Sequence, residues 1–391
     1  MIMTSLPAIL GGKPVFEQKI QIVRPVLPPY EEIRDGIQEI LSSGMVTRGK
    51  YLDAFENEIA GHLGVRHAVA VSSCTTGLML AYRALDLSGE VIVPSFTFMA
   101  TVSAMIWCGL KPVFVDVDPH TTTLDPTLVE RAVTPRTSAI VAVHNFGNPA
   151  DISALEEIAS RHKLKLVFDA AHGFGALYQG KPVGGQGDAQ VFSMSPTKLL
   201  ISGEGGVVTT NNDQVAKMVR IGREYGNDGS YDSIFPGLNA RLPELSALMG
   251  LASLKNLEQA ALSRNQTAVL FHEQLQGCPG IGFQAIRPGD RSSYREYSIT
   301  IDPHKFGISR DRLAEALLAE NIDIRKYYDP PVHRQTAYQG YYNGQPLPHT
   351  DWLSSQSLSL PMWSNMAPET TAKIAETIVN LHEYAASIRQ A

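Results

Sequence analysis

Val191-Phe-Ser-Met-Ser-Pro-Thr-Lys198-Leu-Leu-Ile-Ser-Gly-Glu-Gly-Gly206-Val-Val208 decides how this chain of 391 residues is read. A strand-like run breaks at Ser195-Pro196, presents one lysine, and re-enters through a glycine-rich turn into a second strand. Upstream, Leu164-Lys-Leu-Val-Phe-Asp169 is another apolar run that ends in a carboxylate, followed by Ala-Ala-His172-Gly. Similar short runs lie at residues 68–71, 91–93, 113–115 and 139–143, divided by segments of helical character such as residues 154–162. Strands that are apolar throughout and separated by helices indicate a largely parallel sheet covered on both faces. The expected fold class is α/β.

Working outward, residues 30–43 carry Ile33, Ile37, Ile40 and Leu41 at helical spacing and stop at Gly44. Residues 51–63 repeat the pattern with Leu52, Phe55, Ile59 and Leu63. Near Ser246 the texture changes. Leu245, Leu248, Leu251, Leu254 and Leu257 mark a long helix running towards a second one at about residues 266–275. A strand at residues 297–301 and a helix at 311–319 follow, and residues 369–388 read as a closing helix with Ile374, Ile378, Leu381 and Ile388 on one face. The expected organisation is a large domain over residues 1–255, including the N-terminal segment, and a smaller α+β domain over residues 256–391.

Bulk properties narrow the function. Apolar content of 44% with 18% charged residues describes a folded chain rather than a disordered one. A net charge of −6 argues against a nucleic-acid partner, which calls for a basic patch. Residues 91–110 are uncharged over a length that could cross a bilayer. Their Pro94, Ser95, Thr97, Thr101 and Ser103, and the following Lys-Pro-Val-Phe-Val, read instead as strand, helix, strand, so no membrane association is expected. Cys74, Cys108 and Cys278 are odd in number and widely spaced, which fits reduced thiols in the cytoplasm and no metal motif. The N-terminus lacks the basic and apolar regions of a signal peptide.

An acid at one strand end and an amine in a tight, hydroxyl-rich turn suggest a pyridoxal phosphate site. The amine forms a Schiff base with the aldehyde, and the acid keeps the pyridine nitrogen protonated. The same two charges could also form a structural ion pair. After Val71, Ser72-Ser-Cys-Thr-Thr76-Gly77 opens a helical run and reads either as a phosphate cradle or as a plain N-cap. After Val93, Pro94-Ser-Phe-Thr-Phe98 offers a ring that either stacks on a flat cofactor or fills the core. Nucleotide-binding fingerprints fail: Gly173-Phe-Gly175 has Tyr178 where a third glycine belongs, and no phosphate-loop motif occurs.

The whole constellation resembles the DegT/DnrJ/EryC1/StrS family of pyridoxal phosphate-dependent sugar aminotransferases. The resemblance covers nearly the full chain. It runs through Gly44-Met-Val-Thr-Arg-Gly49, Phe55-Glu56, Ser72-Ser-Cys-Thr-Thr, Pro94-Ser-Phe-Thr-Phe and Val113-Phe-Val-Asp116-Val-Asp118. It continues through Asp169-Ala-Ala-His172, Ser193 to Lys198, Gly203-Glu-Gly-Gly206, Gly237-Leu-Asn239-Ala-Arg241 and Leu358-Ser-Leu-Pro361. The implied fold is the aspartate-aminotransferase-like type I transferase, with a mostly parallel seven-stranded sheet in the large domain.

The resemblance also implies roles. Lys198 would be the Schiff-base lysine and proton shuttle, Asp169 the partner of the pyridinium nitrogen, and His172 a hydrogen-bond partner of the cofactor's phenolic oxygen. Phe98 would stack on the ring, and Thr75, Thr76 and Ser193 would hold the phosphate. Asn239 would reach the phosphate from the neighbouring subunit, making the enzyme a homodimer with a shared site. Cys74 and Gly77 depart from the family's usual Gly and Ala, but both are small. The implied activity moves an amino group from an amino acid, L-glutamate, to a nucleotide-linked keto-deoxysugar. Residues 44–50, 327–333 and 346–352 would line the pocket for that sugar. Alternatives are a non-sugar ketone as acceptor, a pyridoxamine-dependent dehydratase, and a non-catalytic regulator. The dehydratase relatives carry His in place of the lysine, and this chain retains Lys198.

Overall fold

The computed structural model describes residues 5–391, so the first four residues of the stretch read for a signal peptide lie outside it. Seven strands form the central sheet in the order β1-β9-β8-β5-β4-β2-β3. They are β1 (His67–Val71), β2 (Glu90–Pro94), β3 (Lys111–Val115), β4 (Thr137–Val143), β5 (Lys165–Asp169), β8 (Ala189–Ser193) and β9 (Gly206–Thr210). Between β5 and β8 the two-residue strands β6 (Leu177–Tyr178) and β7 (Lys181–Pro182) make a small hairpin. Only β9 runs against its neighbours; β3, β2, β4, β5 and β8 are parallel throughout. This is the largely parallel sheet that the apolar runs imply, with the seven strands that the resemblance implies.

Alternation along each strand builds a core on each side of the sheet. Ile140 and Ala142 of β4 and Leu166 and Phe168 of β5 face one cluster, whereas Ala139, Val141 and Val167 face the other. Helices α1 (Tyr30–Ser43) and α2 (Lys50–Leu63) precede the sheet, and α3 (Cys74–Ala84), α4 (Ala100–Trp107), α5 (Pro126–Ala132), α6 (Ile152–His162) and α7 (Asp213–Gly222) connect or follow its strands. The uncharged residues 91–110 are β2, α4 and the turn before β3, as the polar residues within them require. Among the described residues no helix is long and apolar enough to cross a membrane.

Two helical expectations change in detail. The long helix marked by Leu245 to Leu257 is α8 (Glu244–Lys255) and stops short of Leu257, and the second one, expected from about residue 266, is α9 (Leu257–Leu275), which starts directly after Asn256. Leucines three residues apart drift around a helix of 3.6 residues per turn, so within α8 Leu245 is exposed while Leu248 is buried. The closing helix is likewise α13 (Pro368–Glu383) and α14 (Ala385–Gln390), with Tyr384 at the break.

A second core surrounds β10 (Ile281–Phe283), β11 (Tyr297–Ile301) and β12 (Ser357–Leu360), with α10 (Pro303–Phe306), α11 (Arg310–Ala319), α12 (Pro348–Gln356) and the C-terminal helices. The 255/256 division falls at the α8–α9 junction, and α9 spans both cores: Leu257 and Ala261 belong to the first, Phe271 and Leu275 to the second. Residues 8–23 of the N-terminal segment lie against the C-terminal core. Ile20 packs in the C-terminal core and bridges Ile322, and Glu320 accepts the Ala8 and Val15 amides.

Candidate active site

The carboxyl ends of parallel strands gather the candidates. Asp169 ends β5 opposite Val191 of β8, and Ser193 ends β8 opposite Gly206 of β9. Gly206 must be glycine because an added Cβ would lie 2.6 Å from the Cys74 amide nitrogen. Its absence lets β9 approach the first turn of α3. Gly77 fills the same requirement one turn on, where a Cβ would meet Val191 at 2.7 Å.

A cavity of about 350 Å³ opens here. Thr75, Phe98, Asp169, His172, Ser193 and Lys198 all line it. The Asp169 carboxylate is fixed from both sides: the Thr101 hydroxyl donates to Oδ2 at 2.7 Å and the Ala171 amide to Oδ1 at 3.0 Å. Burial pushes its pKa up while those two bonds and the Lys198 charge pull it down. Asp169 and Lys198 are thus separate walls of one cavity, not a structural ion pair.

Burial drives the Lys198 amine down to about 7, and the nearby Arg295 guanidinium pushes the same way. A lysine with that pKa is half neutral near pH 7 and serves as nucleophile and base. Burial also holds His172 neutral, helped by the positive charges of Lys198 and Arg295. His172 Nδ1 is buried with no partner, and Phe98 is 50% exposed rather than in the core. A buried polar atom without a partner is costly in a finished core, so these two residues mark where a ligand belongs.

Two candidates are not in the cavity wall. The Thr76 hydroxyl completes a capping box with Ser73 at the start of α3: Ser73 Oγ accepts from the Thr76 amide at 3.1 Å, and Thr76 Oγ1 accepts from the Ser73 amide at 3.1 Å. The N-cap reading therefore holds for Thr76, and Thr75 is left facing the cavity. Asn239 is exposed and pairs through its backbone with Glu224. Glu224 lines a second, wider cleft of about 970 Å³ with Arg48, Arg223 and Arg241, which holds none of the candidate residues. Those arginines are already matched, Arg48 and Arg241 to Glu224 and Arg223 to Glu56.

Of the segments expected to line the sugar pocket, Tyr327 and Tyr328 reach the cavity. Residues 44–50 instead lead into α2, with Arg48 on the wider cleft, and the buried Glu244 carboxylate accepts the Gly49, Tyr51 and Leu52 amides. Residues 346–352 start α12, where Asp116 accepts the His349 and Thr350 amides. The sequence reading missed Thr101, Arg295 and Glu296. A charged pair directly ahead of an apolar strand was the available signal for the last two.

A model of the DegT/DnrJ/EryC1/StrS aminotransferase family matches residues 30–379. The chain belongs to that family. It is 35% identical over 370 residues to the dTDP-3-amino-3,4,6-trideoxy-alpha-D-glucose transaminase of Streptomyces venezuelae, covering 93% of this chain and 95% of that one. DesI, solved in the presence of its TDP-sugar product, superposes with a TM-score of 0.91 at 37% identity over 98% of this chain and 97% of its own. NtdA from Bacillus subtilis, solved with bound cofactor PMP, gives 0.80 at 28% identity over 92% and 82%. The family member described here is a pyridoxal phosphate-dependent aminotransferase.

Its residues fit that cofactor. The buried carboxylate at the end of β5 suits a protonated ring nitrogen, the orphaned His172 Nδ1 suits a ring substituent, and the first turn of α3 with Ser193 suits a phosphate. Cys74 does not disturb the cradle. Its thiol lies 3.5 Å from the Val191 carbonyl and 3.9 Å from Asp169 Oδ1, and burial pushes its pKa up, which keeps it protonated.

Proposed function

We propose that this enzyme transfers an amino group from L-glutamate to the keto group of a nucleotide-linked deoxysugar. The retained Lys198 amine, set in the cavity with its pKa brought to about 7, is the observation that carries transfer over dehydration. The sugar class is supported by the relatives' names, a dTDP-aminosugar transaminase and a protein solved with its TDP-sugar product.

Bound pyridoxal phosphate supplies an electron sink that acidifies the carbon next to the transferred nitrogen. Lys198 holds the cofactor at rest, takes the proton from the donor's α-carbon and returns a proton at the acceptor carbon. Its low pKa keeps both states of the amine within reach at neutral pH. Asp169 partners the ring nitrogen, held in aim by Thr101 and the Ala171 amide. His172 donates to the phenolic oxygen, and Phe98 covers the ring. Thr75, Ser193 and the free amides of α3 hold the phosphate.

We place the enzyme in the cytoplasm as a homodimer in which Asn239 reaches the partner's phosphate. The exposure of Asn239, away from its own cavity, supports that placement. Nucleotide ketosugars incubated with enzyme and L-glutamate, followed by mass detection of aminated product, test the proposal. Amination of simple keto acids but of no nucleotide sugar would transfer the assignment to a non-sugar acceptor.

A further inference from the structure

Arg295 and Glu296 form a buried ion pair, 6% and 3% exposed, in the wall of the active-site cavity. The machinery described above gives Arg295 only an indirect part, through the pKa of Lys198 and His172, and Glu296 none. Burying two charges is expensive, and a buried pair that stabilises little is retained more readily where one of its members has another task. Both lie just ahead of β11, in the C-terminal part of the chain, and line the cavity together with Lys198 and His172.

Transamination from an amino acid brings a carboxylate into the site, attached to the carbon that Lys198 must deprotonate. That carboxylate needs a cation beside Lys198. Lys198 and Arg295 are the cations among the residues lining the cavity, and Lys198 is occupied by the chemistry. Arg295 Nη1 donates to Glu296 Oε1, which leaves the Nε–Nη2 edge of the fork; Nε is buried without a partner. A planar fork with one edge unused matches a carboxylate in bidentate fashion. It lines the same cavity as Lys198 and His172, near enough for its charge to lower both.

On the reading that an amino acid is the donor, we infer that Arg295 binds the donor's α-carboxylate and that Glu296 is the counter-ion that holds it between turnovers. The same cavity must also accept a neutral sugar ring carrying no carboxylate. When the keto acid leaves, Arg295 returns to Glu296, and no unpaired charge faces the second substrate. Donor and acceptor thus alternate at one site through one exchange of partner.

The test follows the loss of cofactor absorbance as holoenzyme is titrated with L-glutamate, for wild type, Arg295→Gln, Arg295→Lys and Glu296→Gln. Cofactor loading and thermal unfolding check that each variant is folded. Arg295→Gln raises the half-saturating glutamate concentration about 100-fold, the usual scale for removing a charge-assisted bidentate contact, with a smaller change in limiting rate. Glu296→Gln lowers it, because the competitor for the fork is gone. Arg295→Lys keeps the charge but not the fork and falls between.

A second readout is the pH dependence of the Lys198 amine, read as cofactor recapture by borohydride trapping. Arg295→Gln shifts the transition to higher pH, and Arg295→Lys leaves it in place. Unchanged glutamate saturation in Arg295→Gln, or equal weakening in the Arg295 and Glu296 variants, overturns the assignment while leaving the aminotransferase reading intact. A wild-type enzyme whose absorbance L-glutamate does not alter overturns the donor reading, and this assignment with it.

Discussion

Two buried histidines at neighbouring strand ends show how this chain separates scaffold from site. His144 follows β4, is fully buried and stacks on Phe168 at 5.0 Å. Its Nδ1 accepts the Ala150 amide at 3.1 Å, which leaves Nε2–H to face Gln190 Oε1 at 3.4 Å. His172 follows β5, is enclosed less fully because it borders the cavity, and has a buried ring nitrogen with no partner. Burial pushes both below the usual histidine value, His144 to about 4. The direction of the pKa shift does not tell them apart. The inventory of hydrogen bonds does, because a scaffold group is satisfied within the chain and a site group is left for something else. The same contrast separates Glu244 and Asp116, which cap helices, from Lys198 and Arg295, which line the cavity.

The strongest way to break the contrast is at Lys198. Lys198→Ala is expected to lower turnover by at least about 10⁴-fold and to remove the absorbance of lysine-bound cofactor, while the unfolding midpoint does not fall. Retention of either signal would remove Lys198 from its role.

The next largest effect concerns stability without cofactor. The folded pKa of Lys198 lies at about 7, below the unfolded 10.5, so the unfolded chain binds the extra proton between those values. The stability of the cofactor-free protein therefore rises with pH across that window, and the burial cost is fully present below about 7. Cofactor-free Lys198→Met lacks the cost. It should exceed wild type by on the order of 4 kcal/mol at pH 7 and below, with the gap closing towards pH 10.5. Denaturant unfolding at several pH values reads this directly; a gap that does not vary with pH would contradict it.

The histidines test the contrast itself. His144→Ala removes a packed ring and strands the Ala150 amide, at a cost of about 3 kcal/mol. His172→Ala opens into the cavity and should cost less than about 1 kcal/mol of stability, while weakening cofactor binding. Equal destabilisation by both would erase the distinction. Smaller in free energy, Asp169→Asn is expected to keep cofactor bound and to slow proton abstraction roughly 100-fold, measured by hydrogen exchange at the donor α-carbon.

Much of this was legible before any coordinates. Runs that are apolar throughout pointed to the sheet, Asp169 and Lys198 stood out by their positions at a strand end and in a tight turn, and Ser193 and His172 came from the family resemblance. Thr76 misled because a hydroxyl at a helix start serves a cap and a ligand equally well, and only the reciprocal bonds to Ser73 decide between them. Phe98 was ambiguous because composition does not say which aromatic is left half exposed. The contacts of Ala8 and Ile20 were not legible because they go to Glu320 and Ile322, some three hundred residues away, and no local pattern encodes them. Arg295 and Glu296 showed only as a charged pair ahead of an apolar strand, and their meaning lies in which cavity they line.

Borohydride reduction of the holoenzyme, followed by peptide mass analysis, tests the central claim most directly. The account predicts the reduced cofactor mass on Lys198, and its loss when the enzyme is first treated with L-glutamate. A cofactor fixed on another lysine, or one that L-glutamate does not displace from Lys198, would contradict it.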